Sequence, residues 1–133
     1  MLVASALFRC KYYFAWYLGE AGLIAAGIGY NGFEVKDGKK VIKWDKAVNC
    51  YPIKCEFGEN VKSITDNWNI CTAKWLKNYV YLRISPPGTK PSMLANYGTY
   101  FVSAFWHGFY PGYYVFFIYS AVLTEIARST FFF

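Results

Sequence analysis

Between Lys90 and Glu125 the chain carries no charged side chain, a gap of 34 residues. A helix needs about 20 apolar residues to cross a hydrocarbon core, so the gap is too long for one span. At its centre stands His107-Gly-Phe-Tyr-Pro-Gly112. Gly108, Pro111 and Gly112 should break or kink a helix there, giving membrane segments of about 92–107 and 111–127. Irregular backbone at membrane depth is tolerated where protein buries it or water reaches it. His107 is therefore expected to face a cavity rather than lipid. It is the sole histidine of the chain. An ionisable ring in hydrocarbon is costly and marks function by default, and imidazole is the usual general base near neutral pH. A histidine satisfied by hydrogen bonds between helices is the competing reading.

Composition supports a lipid setting. Hydrophobic residues make up 56%, aromatic residues 23% and charged residues 17%, against roughly 25% charged in soluble domains. Thirteen Tyr, twelve Phe and five Trp exceed what so small a domain buries, whereas a bilayer takes Trp and Tyr at its interfaces. The net charge of +6 is concentrated in residues 31–90, where eleven Lys/Arg against six Asp/Glu give +5. Such a segment suits anionic headgroups or a phosphate-bearing cosubstrate, or is a solvated loop that sets topology. No stripe of Arg alternates with stacking aromatics, which argues against nucleic acid. Cys10, Cys50, Cys55 and Cys71 form no CxxC and have no histidine nearby, so neither a zinc site nor any other metal centre is expected. They are expected as free thiols. Arg9, Lys11 and Glu20 interrupt the first apolar run, so no cleavable signal is expected.

Residues 12–33 have the length of a span and a run of small residues from Gly19 to Gly29, which lets helices approach closely and calls for partner helices. Asn31-Gly32 ends the segment in a turn. A basic polar loop covers 34–60, with Lys36-Asp-Gly-Lys-Lys40 as a turn or hairpin tip and Val41-Ile-Lys-Trp44 as a short strand or aromatic anchor. Residues 63–84 read as one amphipathic helix with Ser63 and Asp66 as a capping box. Ile64, Trp68, Cys71, Trp75, Tyr79 and Leu82 fall on one face at 3.6-residue spacing. Asn69 lies on its inner flank, where an amide needs a partner. Ile84-Ser-Pro-Pro-Gly-Thr-Lys-Pro91 then stops the helix. The whole is an all-α membrane bundle in a single domain, with a basic loop and an amphipathic helix.

Two blocks carry a resemblance: Asp66-Asn-Trp-Asn-Ile-Cys-Thr-Ala-Lys-Trp-Leu-Lys-Asn-Tyr-Val-Tyr-Leu-Arg83 and Ser103-Ala-Phe-Trp-His-Gly-Phe-Tyr-Pro-Gly-Tyr-Tyr114. Together they resemble the membrane-bound O-acyltransferase (MBOAT) family, most of all its lysophospholipid acyltransferase branch of fungal type. Arg9-Cys-Lys-Tyr-Tyr-Phe-Ala-Trp16 and Gly29-Tyr-Asn-Gly32 fit the same branch. The diacylglycerol- and sterol-acylating branches carry Phe-Tyr-x-Asp-Trp-Trp-Asn where this chain has Thr65-Asp-Asn-Trp-Asn69. The resemblance implies a multi-pass enzyme of the endoplasmic reticulum that moves a fatty acyl group from acyl-CoA, its cosubstrate, to the free hydroxyl of a lysophospholipid. No cofactor is implied. It also implies that Asn69 and His107 form the active site, lining one cavity. Family members are several times longer, so the chain resembles a central-to-C-terminal piece. The N-terminal helices would be missing partners and the piece alone inactive.

These residue types suit acyl transfer. The acceptor alcohol is a poor nucleophile until a base such as His107 removes its proton. Negative charge then builds on the former carbonyl oxygen, where an amide N–H from Asn69 would stabilise it; the amide could equally orient the acceptor hydroxyl. The plain alternative for Asn69 is a hydrogen bond between helices. Trp106, Tyr110, Tyr113 and Tyr114 are candidates for the lipid path or for an interfacial belt. Arg83 and the lysines of 74–90, Lys74 first, are candidates for CoA phosphates or headgroups. Cys71 reads as a small packed thiol rather than a nucleophile. The competing functions are an inactive truncated paralogue or membrane scaffold, a proton-relaying transporter, and an acyltransferase with a different hydroxyl acceptor.

Overall fold

The turn at Asp37-Gly38 shows how closely local chemistry sets this fold. Both residues have positive φ, 51° and 74°, the requirement of the tight hairpin turn for which Asp-Gly is a favoured sequence. Strands β1 (Phe33–Lys36) and β2 (Lys39–Ile42) pair antiparallel across it, with Phe33 opposite Ile42 and Lys36 opposite Lys39. At the open end, Asn31 N–H donates to the Lys43 carbonyl and Asn31 Nδ2 to Asp45 Oδ1 (2.7 Å). That amide, seconded by Lys43, holds the Asp45 carboxyl below the usual carboxylate range.

A computed structural model describes residues 2–89 and 92–131, so Lys90 and Pro91 of the expected connection lie outside the described residues. The chain is mainly helical and divides into two compact units. Residues 1–58 and 67–71 form one, and residues 59–66 and 72–133 the other.

In the first unit, α1 (Leu2–Ala25) gives way to the glycine-containing run that leads into the hairpin. The short α2 (Pro52–Glu56) places proline in its first turn, where a missing N–H costs nothing. Tyr13, Cys50 and Cys55 are buried together, with Trp16 and Trp68 packed against them. Trp16 and Trp68 meet edge to face at 4.8 Å between ring centres, a preferred aromatic geometry. Arg9 makes a two-pronged ion pair with Glu56, both contacts at 2.6 Å, and Tyr13 OH donates to the same carboxylate at 2.7 Å. Arg9 first, and Tyr13 after it, bring the Glu56 carboxyl down to about 2.

In the second unit, α6 (Met93–His107) and α7 (Pro111–Phe131) pack as an antiparallel pair through small residues: Ala95, Ser103, Ala104 and Ala121 are buried. Polar groups on the two helices satisfy one another. Asn96 Nδ2 donates to the Ala121 carbonyl and to Glu125 Oε1, Glu125 also holds Arg128, and Tyr100 OH meets Thr124 Oγ1 at 2.8 Å. Phe101, Phe105, Val115, Phe116 and Tyr119 are exposed.

Three expectations need correcting. The two-stranded sheet makes the chain mostly helical rather than all-α. Among the described residues no helix is long and apolar enough to cross a membrane. Helix α1 carries Arg9, Lys11 and Glu20, α6 has only 15 residues, and α7 carries Glu125 and Arg128; 15 residues rise about 22 Å against a core of about 30 Å. Thirdly, the amphipathic helix expected over 63–84 is broken. It becomes α3 (Val61–Asn67), a kink at Trp68-Asn69, α4 (Ile70–Leu76), a π-helical turn (Lys77–Tyr81) and α5 (Leu82–Ile84). In the π turn the Leu82 N–H reaches back to the Lys77 carbonyl. The cap also moves: Asn60, not Ser63, takes the first turn of α3, its Oδ1 accepting from Ser63 N–H at 2.7 Å, as asparagine caps do. Asp66 pairs instead with Lys62 one turn earlier.

Candidate active site

Asn69 sits at the kink with φ 48°, a left-handed conformation that asparagine tolerates far better than most residues. The helix restarts at Ile70, and its first N–H groups would be orphaned there. A strand of the loop running alongside satisfies them. The Asn49 carbonyl accepts from Ile70 N–H at 2.8 Å, and Asn49 Oδ1 accepts from Cys71 N–H at 2.8 Å. The Asn49 side chain then donates from Nδ2 to Asn69 Oδ1 at 3.3 Å. Tyr51 N–H donates to the Asn67 carbonyl at 3.0 Å, completing the seam. Asn69 is thus half-buried at a kink that the segment 49–51 stabilises.

His107 is the last residue of α6. Gly108 follows with φ 110° and ψ −178°, a region essentially closed to residues bearing a Cβ. Its N–H returns to the Phe105 carbonyl at 3.1 Å, and Pro111 opens α7 three residues later, where proline's fixed φ suits a helix start. The break foreseen at Gly108–Pro111 is present, and it sets His107 at the tip of the α6–α7 hairpin. The imidazole packs against Tyr113 and Phe117, at 5.3 and 5.1 Å between ring centres. It is exposed, and it makes no hydrogen bond to a described residue. The cavity expected around it is therefore not formed by the described residues of its own unit.

The other candidates divide. Tyr113 touches the His107 ring and Tyr110 touches Tyr113 at 6.2 Å, so these two gather at the tip. Trp106 points to a different neighbour, Trp75 of α4, at 6.1 Å. Tyr114 packs on Phe101 at 6.0 Å, away from the imidazole. Lys74 and Arg83 are exposed. Asn69 belongs to the first unit and His107 to the second. Cys71 is exposed rather than packed; it lies in the first turn of α4, and its thiol donates to the Val48 carbonyl at 3.7 Å. Burial pushes the Cys50 and Cys55 thiols up, which keeps them protonated and poorly nucleophilic. Phe117 and Asn49 were missed by the sequence reading. Phe117 could have been found from the helical hairpin that Gly108 and Pro111 announce, whereas no spacing signal points to Asn49.

The model of the MBOAT, membrane-bound O-acyltransferase family matches residues 1–132. The chain belongs to this family. Its members are membrane-bound enzymes, as the family's description states. Among curated relatives, the MBOAT chain is similar to a Schizosaccharomyces pombe lysophospholipid acyltransferase, 42% identical over 128 residues, covering 96% of this chain and 25% of the relative. It is 40% identical to lysophospholipid acyltransferase 2 of Arabidopsis thaliana over 121 residues, 91% of this chain and 26% of the relative. It is 42% identical to membrane-bound glycerophospholipid O-acyltransferase 2 of Rattus norvegicus over 121 residues, 91% of this chain and 21% of the relative. The chain thus spans about a quarter of the length of the curated relatives it matches.

Proposed function

We propose that this MBOAT chain carries the chemistry of a lysophospholipid acyltransferase working with acyl-CoA in a multi-pass protein of the endoplasmic reticulum membrane. The acceptor hydroxyl oxygen attacks the thioester carbonyl carbon as His107 takes the hydroxyl proton. The carbon–sulfur bond then breaks, the ester forms, and the thiolate leaves as CoA and recovers a proton. Base catalysis of this kind is worth roughly 10²–10⁴ in rate. The Asn69 carboxamide donates to the oxygen on which negative charge builds. Transfer is direct, with no acyl group on Cys71 and no cofactor. Trp106, Tyr110, Tyr113 and Tyr114 border the lipid path, and Lys74 and Arg83 meet the phosphates of CoA or the headgroup, where charge-assisted contacts are strongest. The pairing of Asn96, Glu125 and Arg128 supports the membrane setting, because ionisable groups on helices in lipid persist when they satisfy one another.

The observation that carries the reading is His107: an exposed imidazole at a helix break, its nitrogens tied to no described residue, in a chain matched by the family throughout. The test replaces the matching stretch of the Schizosaccharomyces pombe enzyme with the full 133-residue chain. Membranes carrying this chimera should transfer acyl groups from acyl-CoA to lysophospholipid. His107→Ala should remove roughly 10²–10⁴ of that rate while the protein still inserts. An inactive chimera, or full activity in His107→Ala, overturns the reading.

A further inference from the structure

Asparagine presents one acceptor and two donors from a single planar group, so fixing its oxygen fixes the direction of its N–H bonds. In Asn69 the oxygen is fixed: Oδ1 accepts from Asn49 Nδ2 at 3.3 Å. The Asn69 NH2 group is left facing away from Asn49, and it donates to no described residue. Asn49 is itself immobilised. Its Oδ1 is held by Cys71 N–H, its carbonyl by Ile70 N–H, and the next residue, Cys50, is almost wholly buried. A flip of the Asn49 amide would turn its NH2 toward the Cys71 N–H and its oxygen toward the Asn69 oxygen, losing both contacts. The orientation of one amide therefore dictates the orientation of the other.

We propose that Asn49 is a positioning residue for Asn69: one carboxamide both caps α4 and holds the Asn69 oxygen, so that the Asn69 NH2 is presented to the reacting centre. The inference rests on the acyl-transfer reading above, in which Asn69 donates to the developing oxyanion. It assigns Asn49 no contact with substrate.

Asn49→Asp separates the two duties. A carboxylate still accepts from Cys71 N–H, and charge at a helix start strengthens that cap. Toward Asn69 it offers only acceptors, so it attracts the Asn69 NH2 and turns the amide around. In the chimera described above, kcat should fall about tenfold or more, the worth of a hydrogen bond that selects one amide orientation. KM for acyl-CoA and for lysophospholipid should stay unchanged, as should the amount of folded protein in the membrane. Asn69→Gly, which removes the amide and suits the left-handed backbone, should lower kcat roughly 10²–10³-fold. Adding Asn49→Asp to Asn69→Gly should then cost nothing further, because there is no amide left to orient. Full kcat in Asn49→Asp within a chimera that Asn69→Gly disables overturns the role of Asn49 alone, as does an additive loss in the double variant. Full kcat in Asn69→Gly, or an inactive unmodified chimera, overturns the acyl-transfer reading and this inference with it.

Discussion

Asn69 and His107 are held in opposite ways. The Asn69 side chain and the helix start beside it are held by hydrogen bonds, from the Asn49 side chain and from the seam between residues 49–51 and 67–71. Around His107 the restraints are aromatic rings and a glycine, with no hydrogen bond to a described residue. The difference matches the two tasks proposed for them. A donor to a developing charge must keep a set direction, and directional bonds supply it. A base must exchange a proton, so both ring nitrogens gain from being left to substrate or solvent.

The contrast can be broken at four points. The largest effect should come from Asn69→Gly, roughly 10²–10³ in kcat with the fold intact; unchanged turnover together with lower stability would make Asn69 a structural residue. Gly108→Ala should come next. A Cβ in that backbone region costs about 1–3 kcal/mol, and relief by moving the tip would displace His107, so both the thermal midpoint and kcat should drop. A variant that lost neither would mean the tip can take another backbone shape. Acid should weaken the polar side of the contrast. The Glu56 carboxyl, at about 2 in the fold against 4.5 for the free group, adds stability fully above the higher value, and that gain is lost as pH falls through the lower. Comparing the unchanged chain with Glu56→Gln should show a difference in unfolding at about pH 6 that vanishes near pH 2. The smallest effect is expected at Cys71→Ser, with turnover close to normal. A covalent thiol route would instead lose most of it and leave a trapped acyl group on Cys71.

Much of the His107 side could be read directly from the chain, because Gly108, Pro111 and Gly112 are local signals with local consequences. The Asp37-Gly38 hairpin is another such case. The Asn69 side is different. Apolar spacing runs unbroken through Ile64, Trp68, Cys71 and Trp75, so periodicity describes one helix where the structure has two. The kink is stabilised by Asn49, 22 residues before Cys71, and a cap supplied from another segment leaves no trace in helical spacing. Trp68 is drawn out of the expected stripe for a similar reason, its ring packing with Tyr12, Tyr13 and Trp16 of α1. The spans were drawn on uncharged length, whereas α6, which ends at the foreseen break, has 15 residues against the roughly 20 that a crossing takes.

The π-helical turn at Lys77–Tyr81 alters angular bookkeeping along the helix. In an uninterrupted α-helix, Lys74 and Arg83 are nine residues apart and point in opposite directions, about 180° around the axis. One residue looped out by the wide turn removes about 100° from that separation. The two cations thereby come within about a quarter-turn of each other, and straightening this turn without losing a residue would send Arg83 to the far side. A relative one residue shorter here, with a regular helix through the turn, would keep the same two-cation face, because eight steps of about 100° also leave about 80° between the ends.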